Sequence, residues 1–211
     1  MLSLSLDTNC VIALDEVRNN PMSHRSAEAR AVRVLVDAHT DRKADVALVA
    51  ISASERQKDN APLGNFSIFQ ERLASLGLAH LKLLHPMLYF DVTFWDASLW
   101  FDEEMQALER SIHEILFPNI PFLWPDYCAV NGLDLTAEMP DRKWKNAKCD
   151  VQAFWSHAWR KRAVFVTSDD NFHKELKKPQ LIALAGGHIE TPSSAAALVG
   201  ASQSERSPDG M

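Results

Sequence analysis

Short apolar segments of strand length alternate with helical segments along this chain, and this alternation most constrains its fold. The segment ADVALVAIS (44–52) is an apolar run, typical of a parallel strand that is buried on both faces. LSLSL (2–6) and AVFVTS (163–168) also have the character of strands. Predicted helices lie between them, so the sequence predicts a three-layer α/β/α fold with a mainly parallel central sheet.

The remaining elements follow from apolar spacing and from helix start signals. One predicted helix begins at Val11, and further predicted helices cover residues 26–39, 64–82, 102–117 and 149–162. Further predicted strands lie within 79–87 and 89–101, and residues 181–199 are interpreted as a strand, a turn and a closing helix. The proline-containing stretch 118–148 has the least regular pattern and is interpreted as a long connection.

The length of 211 residues suits one domain. We expect a single domain over 1–200, with an enlarged helical middle region at about 57–139 and a disordered tail at 201–211. The three cysteines are far apart, so we expect free thiols in a cytoplasmic protein rather than disulfides or a thiolate zinc site. We expect no signal peptide, and no apolar run approaches the roughly 18 residues of a membrane span.

Acidic residues follow several of the predicted strands. Asp7 ends the first strand, Glu55 follows the second, Asp169 ends the strand at 163–168, and Asp150 lies at the start of a predicted helix. Because the carboxyl ends of parallel strands meet at one edge of a sheet, these carboxylates are expected to converge there. Clustered carboxylates repel each other and attract a cation, and their oxygen atoms suit Mg²⁺ or Mn²⁺.

Each of these acids also has a simpler interpretation. Asp7 suits a helix cap, and Asp150 suits a favourable charge in the first turn of a helix. Ser52 and Glu55 have the spacing of a capping box. The segment TSDDNF (167–172) is typical of a turn followed by a helix start. The order and spacing of the four acids, taken together, favour the metal site.

Three segments, two of which contain Asp7 and Asp169, resemble the PIN domain, a family of metal-dependent ribonucleases. LSLDTNCVIAL (4–14) is similar to the family's opening strand with its Asp-Thr-Asn motif, and VFVTSDDNF (164–172) to its late strand. GGHIETP (186–192) resembles the family's last strand and helix. Asp150 precedes Asp169 by nineteen residues, close to the family's usual interval. The resemblance is best over 1–57 and 146–200.

The resemblance implies a PIN-like ribonuclease that hydrolyses RNA with Mg²⁺ or Mn²⁺. It makes Asp7, Glu55, Asp150 and Asp169 the catalytic, metal-binding acids. It makes Asn9 and Thr167 supporting residues, with Asp170 as a competitor to Asp169. A small antitoxin-like partner protein and a homodimer are further implications. The enlarged middle region departs from the much shorter PIN toxins, so the toxin assignment does not follow directly.

Basic residues are concentrated in the second half of the chain. Between residues 142 and 178 there are ten Lys or Arg and four Asp or Glu, although the whole chain has a net charge of −6. A basic run next to an acidic metal site offsets its repulsion of a phosphate backbone. We therefore expect nucleic-acid contacts at Arg142, Lys143, Lys145 and Lys148, with a solvated helix face as the simpler alternative.

Other classes of function fit the sequence less well. A haloacid-dehalogenase-like phosphatase needs a second Asp two residues after the first, where this chain has Asn9. The chain has no GxSxG, GxGxxG or GxxxxGK motif, which disfavours serine hydrolases and nucleotide-binding loops. The open alternative is a catalytically inactive PIN-like scaffold that binds RNA or a protein.

Overall fold

The computed structural model describes residues 1–53, 66–89, 92–93, 98–100, 102–136 and 140–204. Its β-strands form one all-parallel sheet with the order β3-β2-β1-β4-β5. The predicted α/β fold with a parallel sheet is therefore confirmed. The strands are β1 Leu2–Leu6, β2 Ala44–Val49, β3 Lys82–Leu84, β4 Val164–Val166 and β5 His188–Glu190.

Helices connect and cover these strands, and a short 3-10 turn at Ala50–Ala53 follows β2. The helices are α1 Thr8–Asn19, α2 Ser26–Thr40, α3 Phe66–Ser75, α4 Glu103–Leu116, α5 Trp124–Asn131, α6 Arg142–Trp159, α7 Asp170–His173, α8 Lys178–Ala185 and α9 Pro192–Ser204. Within the described part of the chain, no helix combines the length and the apolar character needed to cross a membrane.

The central strand β1 separates the two halves of the sheet. It pairs with β2 on one side, with Leu6 opposite Leu48, and with β4 on the other, with Leu6 opposite Val166. The strand order therefore reverses at β1. In open parallel sheets such a reversal leaves a crevice beyond the carboxyl ends of the strands, where ligands bind.

Two apolar clusters cover the two faces of the sheet. Leu4 and Leu6 belong to the cluster that includes residues of α1, α2, α3 and α9. Phe165 and Val49 belong to the opposite cluster, together with residues of α4, α6 and α8. Alternate side chains of β2 and β4 belong to opposite clusters, so helices cover both faces of the sheet in a three-layer α/β/α arrangement, with α6 packed on one face.

The predicted start of the helix at 149 is wrong, because α6 begins at Arg142. Asp141 caps it, accepting hydrogen bonds from the backbone amides of Lys143 (2.9 Å) and Trp144 (3.4 Å). Asp150 therefore lies in the middle of α6 and not in a first turn. The connection predicted at 118–148 also contains α5.

Three further predictions are corrected. Residues 181–185 belong to helix α8, and the strand that precedes α9 is β5. The predicted strand at 89–101 is absent from its described residues, of which Leu99 forms an isolated bridge with Met87. Helix α9 extends to Ser204, so the tail prediction is wrong for 201–204, and 205–211 lie outside the described residues. The prediction of free thiols is confirmed for all three cysteines, which are buried.

Candidate functional site

Asp7 lies directly after β1, at the point where the strand order reverses. Its side chain is 5 % exposed, and both carboxylate oxygens accept hydrogen bonds. Oδ1 accepts from the backbone amide of Thr8 at 2.7 Å, which makes Asp7 the cap of α1. Oδ2 accepts from the hydroxyl of Thr167 at 2.7 Å and from the side-chain amide of Asn9 at 3.2 Å. The helix-cap interpretation is thus confirmed. The cap uses only Oδ1, one of the two carboxylate oxygens.

Thr167 connects Asp7 to Asp169. While its hydroxyl donates to Asp7, its oxygen accepts a hydrogen bond from the backbone amide of Asp169 at 3.1 Å. Asp169 in turn accepts from the backbone amide of Asn171 at 2.8 Å and caps the short helix α7. The structure therefore brings together Asp7, Asn9, Thr167 and Asp169 of the predicted site residues.

Burial and neighbouring charge make ionisation of Asp7 costly. Its pKa is raised from 3.8 to about 6, chiefly by desolvation and also by the charge of Asp169, while the hydrogen bonds from Thr167, Thr8 and Asn9 act to lower it. Within the described residues, no Lys, Arg or His forms an ion pair with Asp7. The carboxylate is held by hydrogen-bond donors and not by a described cationic side chain.

A second network anchors the loop between β4 and α7. Arg25 forms a two-point contact with Glu28, at 2.8 and 2.6 Å, and also donates to the backbone carbonyl of Asn9 at 2.8 Å and to Ser168 at 3.3 Å. The hydroxyl of Ser168 donates to Glu28 at 2.7 Å. Sequence reasoning missed Arg25 because no local pattern indicates a contact across 143 residues.

The remaining predicted acids occupy other positions. Asp150 lines a cleft of about 840 Å³, and Asp170 lines a separate cleft that also contains Asn9 and Asp169. Glu55 lies outside the described residues. Among the residues that the structure does describe, no three His, Cys, Asp or Glu side chains form a group that could hold a metal ion.

The cleft that contains Asp150 lies beside the amino-terminal half of α6. Residues after α4 and around α7 form the rest of its wall. Arg142 and Lys143 are exposed and line it, whereas Lys145 is half-buried. Sequence reasoning missed the other two basic lining residues, Lys174 and Lys177. Both follow α7, outside the basic run at the start of α6.

The prediction that Lys148 contacts nucleic acid is wrong, because its side chain is fully buried. Its ammonium group lies 3.0 Å from Glu109 and 3.5 Å from the centre of the Phe122 ring. Glu109 also accepts a hydrogen bond from the hydroxyl of Tyr89 at 2.7 Å. Lys148 is therefore a packing residue between α6 and α4.

The carboxylate oxygens described at this edge of the sheet are of the kind that hard divalent cations prefer. Asp7 and Asp169 supply carboxylate oxygens, which Mg²⁺ and Mn²⁺ prefer, and Mg²⁺ is commonly bound by one or two carboxylates with water in its other positions. The donor set therefore fits such an ion without sulfur or imidazole ligands.

Comparisons with models of protein families, with curated proteins and with solved structures found no match. The resemblance to the PIN domain therefore depends on the sequence motifs and their spacing alone and stays a prediction.

Proposed function

We propose that this protein is a PIN-like ribonuclease that hydrolyses RNA phosphodiester bonds with Mg²⁺ or Mn²⁺. The observation that carries this proposal is the pairing of Asp7 with Asp169 through Thr167, at the reversal point of a parallel sheet. Ligand sites in open α/β sheets lie at this position. The proposal accounts for a buried carboxylate that has a second acid beside it.

The acidic residues are proposed to hold the cation. We assign Asp7 and Asp169, which the structure brings together, as two of its ligands. Asp150 and Glu55 complete the acidic set that the PIN resemblance implies. A bound divalent cation lowers the pKa of water and offsets negative charge on a phosphodiester.

Other residues of the chain orient these acids. Thr167 and Asn9 fix one oxygen of Asp7 by hydrogen bonds, and the backbone amide of Thr8 fixes the other. Arg25 and Glu28 hold Ser168, the residue before Asp169. Because hydrogen bonds fix the residues that follow both β1 and β4, little reorganisation of these side chains is needed when substrate binds.

The nearby basic cleft supports RNA as the substrate. Arg142 and Lys143 are exposed on its wall and offset the repulsion between the acids and a phosphate backbone. Lys145 is a peripheral contact in this proposal, since it is half-buried outside the cleft lining.

The test is cleavage of labelled single-stranded and structured RNA with Mg²⁺, Mn²⁺ or EDTA. We expect metal-dependent cleavage that Asp7→Asn and Asp169→Asn each abolish, while both variants stay folded by circular dichroism. Asp37→Asn, an exposed acid on α2, is the charge-matched control and should cleave normally. Asp170→Asn separates the two adjacent acids, and we expect a smaller loss than for Asp169→Asn.

The second candidate function is a catalytically inactive PIN-like scaffold that binds RNA or a protein. One observation favours it: both carboxylate oxygens of Asp7 already accept hydrogen bonds within the protein, from Thr8, Asn9 and Thr167. RNA binding that is accompanied by no cleavage in Mg²⁺, in Mn²⁺ and in EDTA alike would support this candidate. A small antitoxin-like partner and a homodimer stay predictions from the resemblance, and a native purification followed by mass measurement tests both.

A further inference from the structure

We infer that the cleft beside α6 binds the phosphate backbone of single-stranded RNA and that Lys177 is its fixed anchoring cation. The inference rests on the proposed function for the identity of the ligand. It adds a residue that the sequence analysis did not identify and assigns it a role distinct from the more exposed cations.

Lys177 is held in place by two hydrogen bonds. Its Nζ donates to the backbone carbonyl of Leu116 at 2.5 Å and to Oδ1 of Asn171 at 2.6 Å. A lysine ammonium group has three N–H donors, so these bonds leave one for a ligand in the cleft. The ring of Phe117, 5.8 Å away, flanks the same ammonium group. A long flexible side chain has thus lost most of its freedom before any ligand binds, which lowers the entropic cost of binding.

Exposed cations extend from this anchor along the cleft. Arg142 and Lys143 lie on the α6 side, and Lys174 lies on the same side as Lys177. Two acids, Asp141 and Asp150, also line the wall. Asp141 caps α6 and accepts the hydroxyl of Tyr127 at 2.7 Å, so much of its hydrogen-bonding capacity is already used. Cations thus outnumber carboxylates in the lining, four to two.

The apolar wall of the cleft favours a single strand. Phe117 and Ile120 are half-buried and line the cleft, so an aromatic face lies beside the cations. Cations that follow a backbone, together with an aromatic ring on which a base can stack, are typical of single-stranded nucleic-acid binding.

The cleft also lies next to the candidate acids. Asn171, which holds Lys177, donates its backbone amide to Asp169. Asp150 contributes directly to the cleft wall. A backbone bound at Lys177 therefore lies along a path toward the proposed metal ligands.

The test compares Lys177→Met with Lys178→Met. Lys178 is the next residue along the chain; it lies 3.9 Å from Glu190 and outside the cleft lining, so the two variants lose the same charge from neighbouring positions. Binding of a fluorescent single-stranded RNA is measured by anisotropy in EDTA over a series of salt concentrations. For Lys177→Met we expect about fivefold weaker binding at 0.1 M salt and a salt slope that is reduced by about 0.7. Lys178→Met should change affinity by less than twofold.

A second variant tests whether Lys177 must be fixed. Asn171→Ala keeps every cation of the cleft but removes one of the two bonds that hold the ammonium group. We expect about twofold weaker binding with an unchanged salt slope, because the charge remains and only its position is freed.

The possible outcomes separate this inference from the proposed function. Equal affinities for Lys177→Met and Lys178→Met would overturn the inference, even if the wild-type protein cleaves RNA. A selective loss in Lys177→Met, in a protein that never cleaves RNA, would support the inference and overturn the ribonuclease proposal. Competition by polyglutamate as effective as by RNA of equal charge would assign the cleft to acidic protein segments and also overturn the inference.

Discussion

Lys148 and Glu109 lie fully buried between α6 and α4, whereas Asp7 and Asp169 lie at the carboxyl edge of the sheet. In the first region the cation and the anion are 3.0 Å apart, and Tyr89 donates a further hydrogen bond to Glu109. In the second region two acids are neighbours. The buried acid, Asp7, accepts hydrogen bonds from neutral donors, and no described cation pairs with it. Both regions bury charge, but only the first contains its own described counter-charge.

This difference separates a structural charge from a candidate functional one. A buried charge is tolerated when it is paired, and breaking such a pair is strongly destabilising. A buried carboxylate beside another acid is costly until a cation binds or a proton neutralises it. We therefore expect substitutions in the two regions to change stability in opposite directions.

Lys148→Met should give the largest effect. It leaves Glu109 buried without its cation, and we expect the free energy of unfolding to fall by about 3–5 kcal/mol in urea denaturation. The double variant Lys148→Met/Glu109→Gln should recover most of the loss. If Lys148→Met is as stable as the wild type, the pair is not the structural element described above.

Asp7→Asn should have the opposite effect at neutral pH. The pKa of Asp7 is raised from 3.8 in the unfolded chain to about 6, so the ionised group destabilises the fold by up to ~3 kcal/mol above pH 6. Asn removes this cost but weakens the contact with Asn9, so we expect a stability gain of about 1–3 kcal/mol at pH 7.5. The gain should vanish below pH 4, where Asp7 is protonated in both states. Urea denaturation at the two pH values measures it, and a loss of stability at pH 7.5 would mean that the charge of Asp7 is already compensated.

The stability of the protein in acid should depend on a third buried group, His157. Burial and the charge of Arg162 lower its pKa from 6.5 to about 3, and Ser5 contacts its Nδ1 at 3.1 Å. Below pH 6.5 the unfolded chain binds a proton at His157 that the folded protein does not. The stability that the neutral His157 contributes is therefore fully present above pH 6.5 and is lost as the pH decreases. The loss from this group at pH 5 is about 2 kcal/mol.

Asp7 opposes this trend, because its protonation favours the folded state over the same range. The acid sensitivity between pH 7 and 5 should therefore be steeper in Asp7→Asn than in the wild type, and flatter in His157→Asn. Equal pH dependence in the wild type and in Asp7→Asn would contradict the raised pKa of Asp7.

Arg25→Met should have the smallest effect on stability and a larger effect on activity. Arg25 and Glu28 are mostly buried, and their contact also holds Ser168 and the carbonyl of Asn9. We expect a stability loss of about 1 kcal/mol, together with a reduced maximal rate of RNA cleavage and a little-changed Michaelis constant. Arg18→Met, whose guanidinium contacts Ser75 on the surface, is the control and should leave the rate unchanged. A change in the Michaelis constant alone would place Arg25 in substrate binding.

The edge of the sheet was predictable because its signals are local. A strand of apolar residues that runs directly into Asp7 or Asp169 can be read from a few neighbouring letters. The roles of Lys148 and Lys177 were not predictable in this way. Lys148 belongs to a basic run that has the pattern of a solvated face, and its burial depends on Glu109, 39 residues away. Lys177 is fixed by Leu116, 61 residues earlier in the chain.

The start of α6 was missed for a different reason. The cap, Asp141, follows Pro140 and precedes a basic and aromatic stretch whose apolar spacing is weak. The register of Asp150 within the helix depends on that start. Its position on the cleft wall was therefore available only from the fold.

The most direct test of the central claim, that the carboxylates at the sheet edge bind a divalent cation, is a thermal unfolding titration with Mn²⁺. The wild type, Asp7→Asn and the control Asp37→Asn are compared at pH 7.5. A ligand at one hundred times its dissociation constant stabilises the folded state by about 2.7 kcal/mol. We predict a saturable rise in melting temperature for the wild type and for Asp37→Asn, and none for Asp7→Asn. The absence of a rise in the wild type, or an equal rise in Asp7→Asn, would contradict the account.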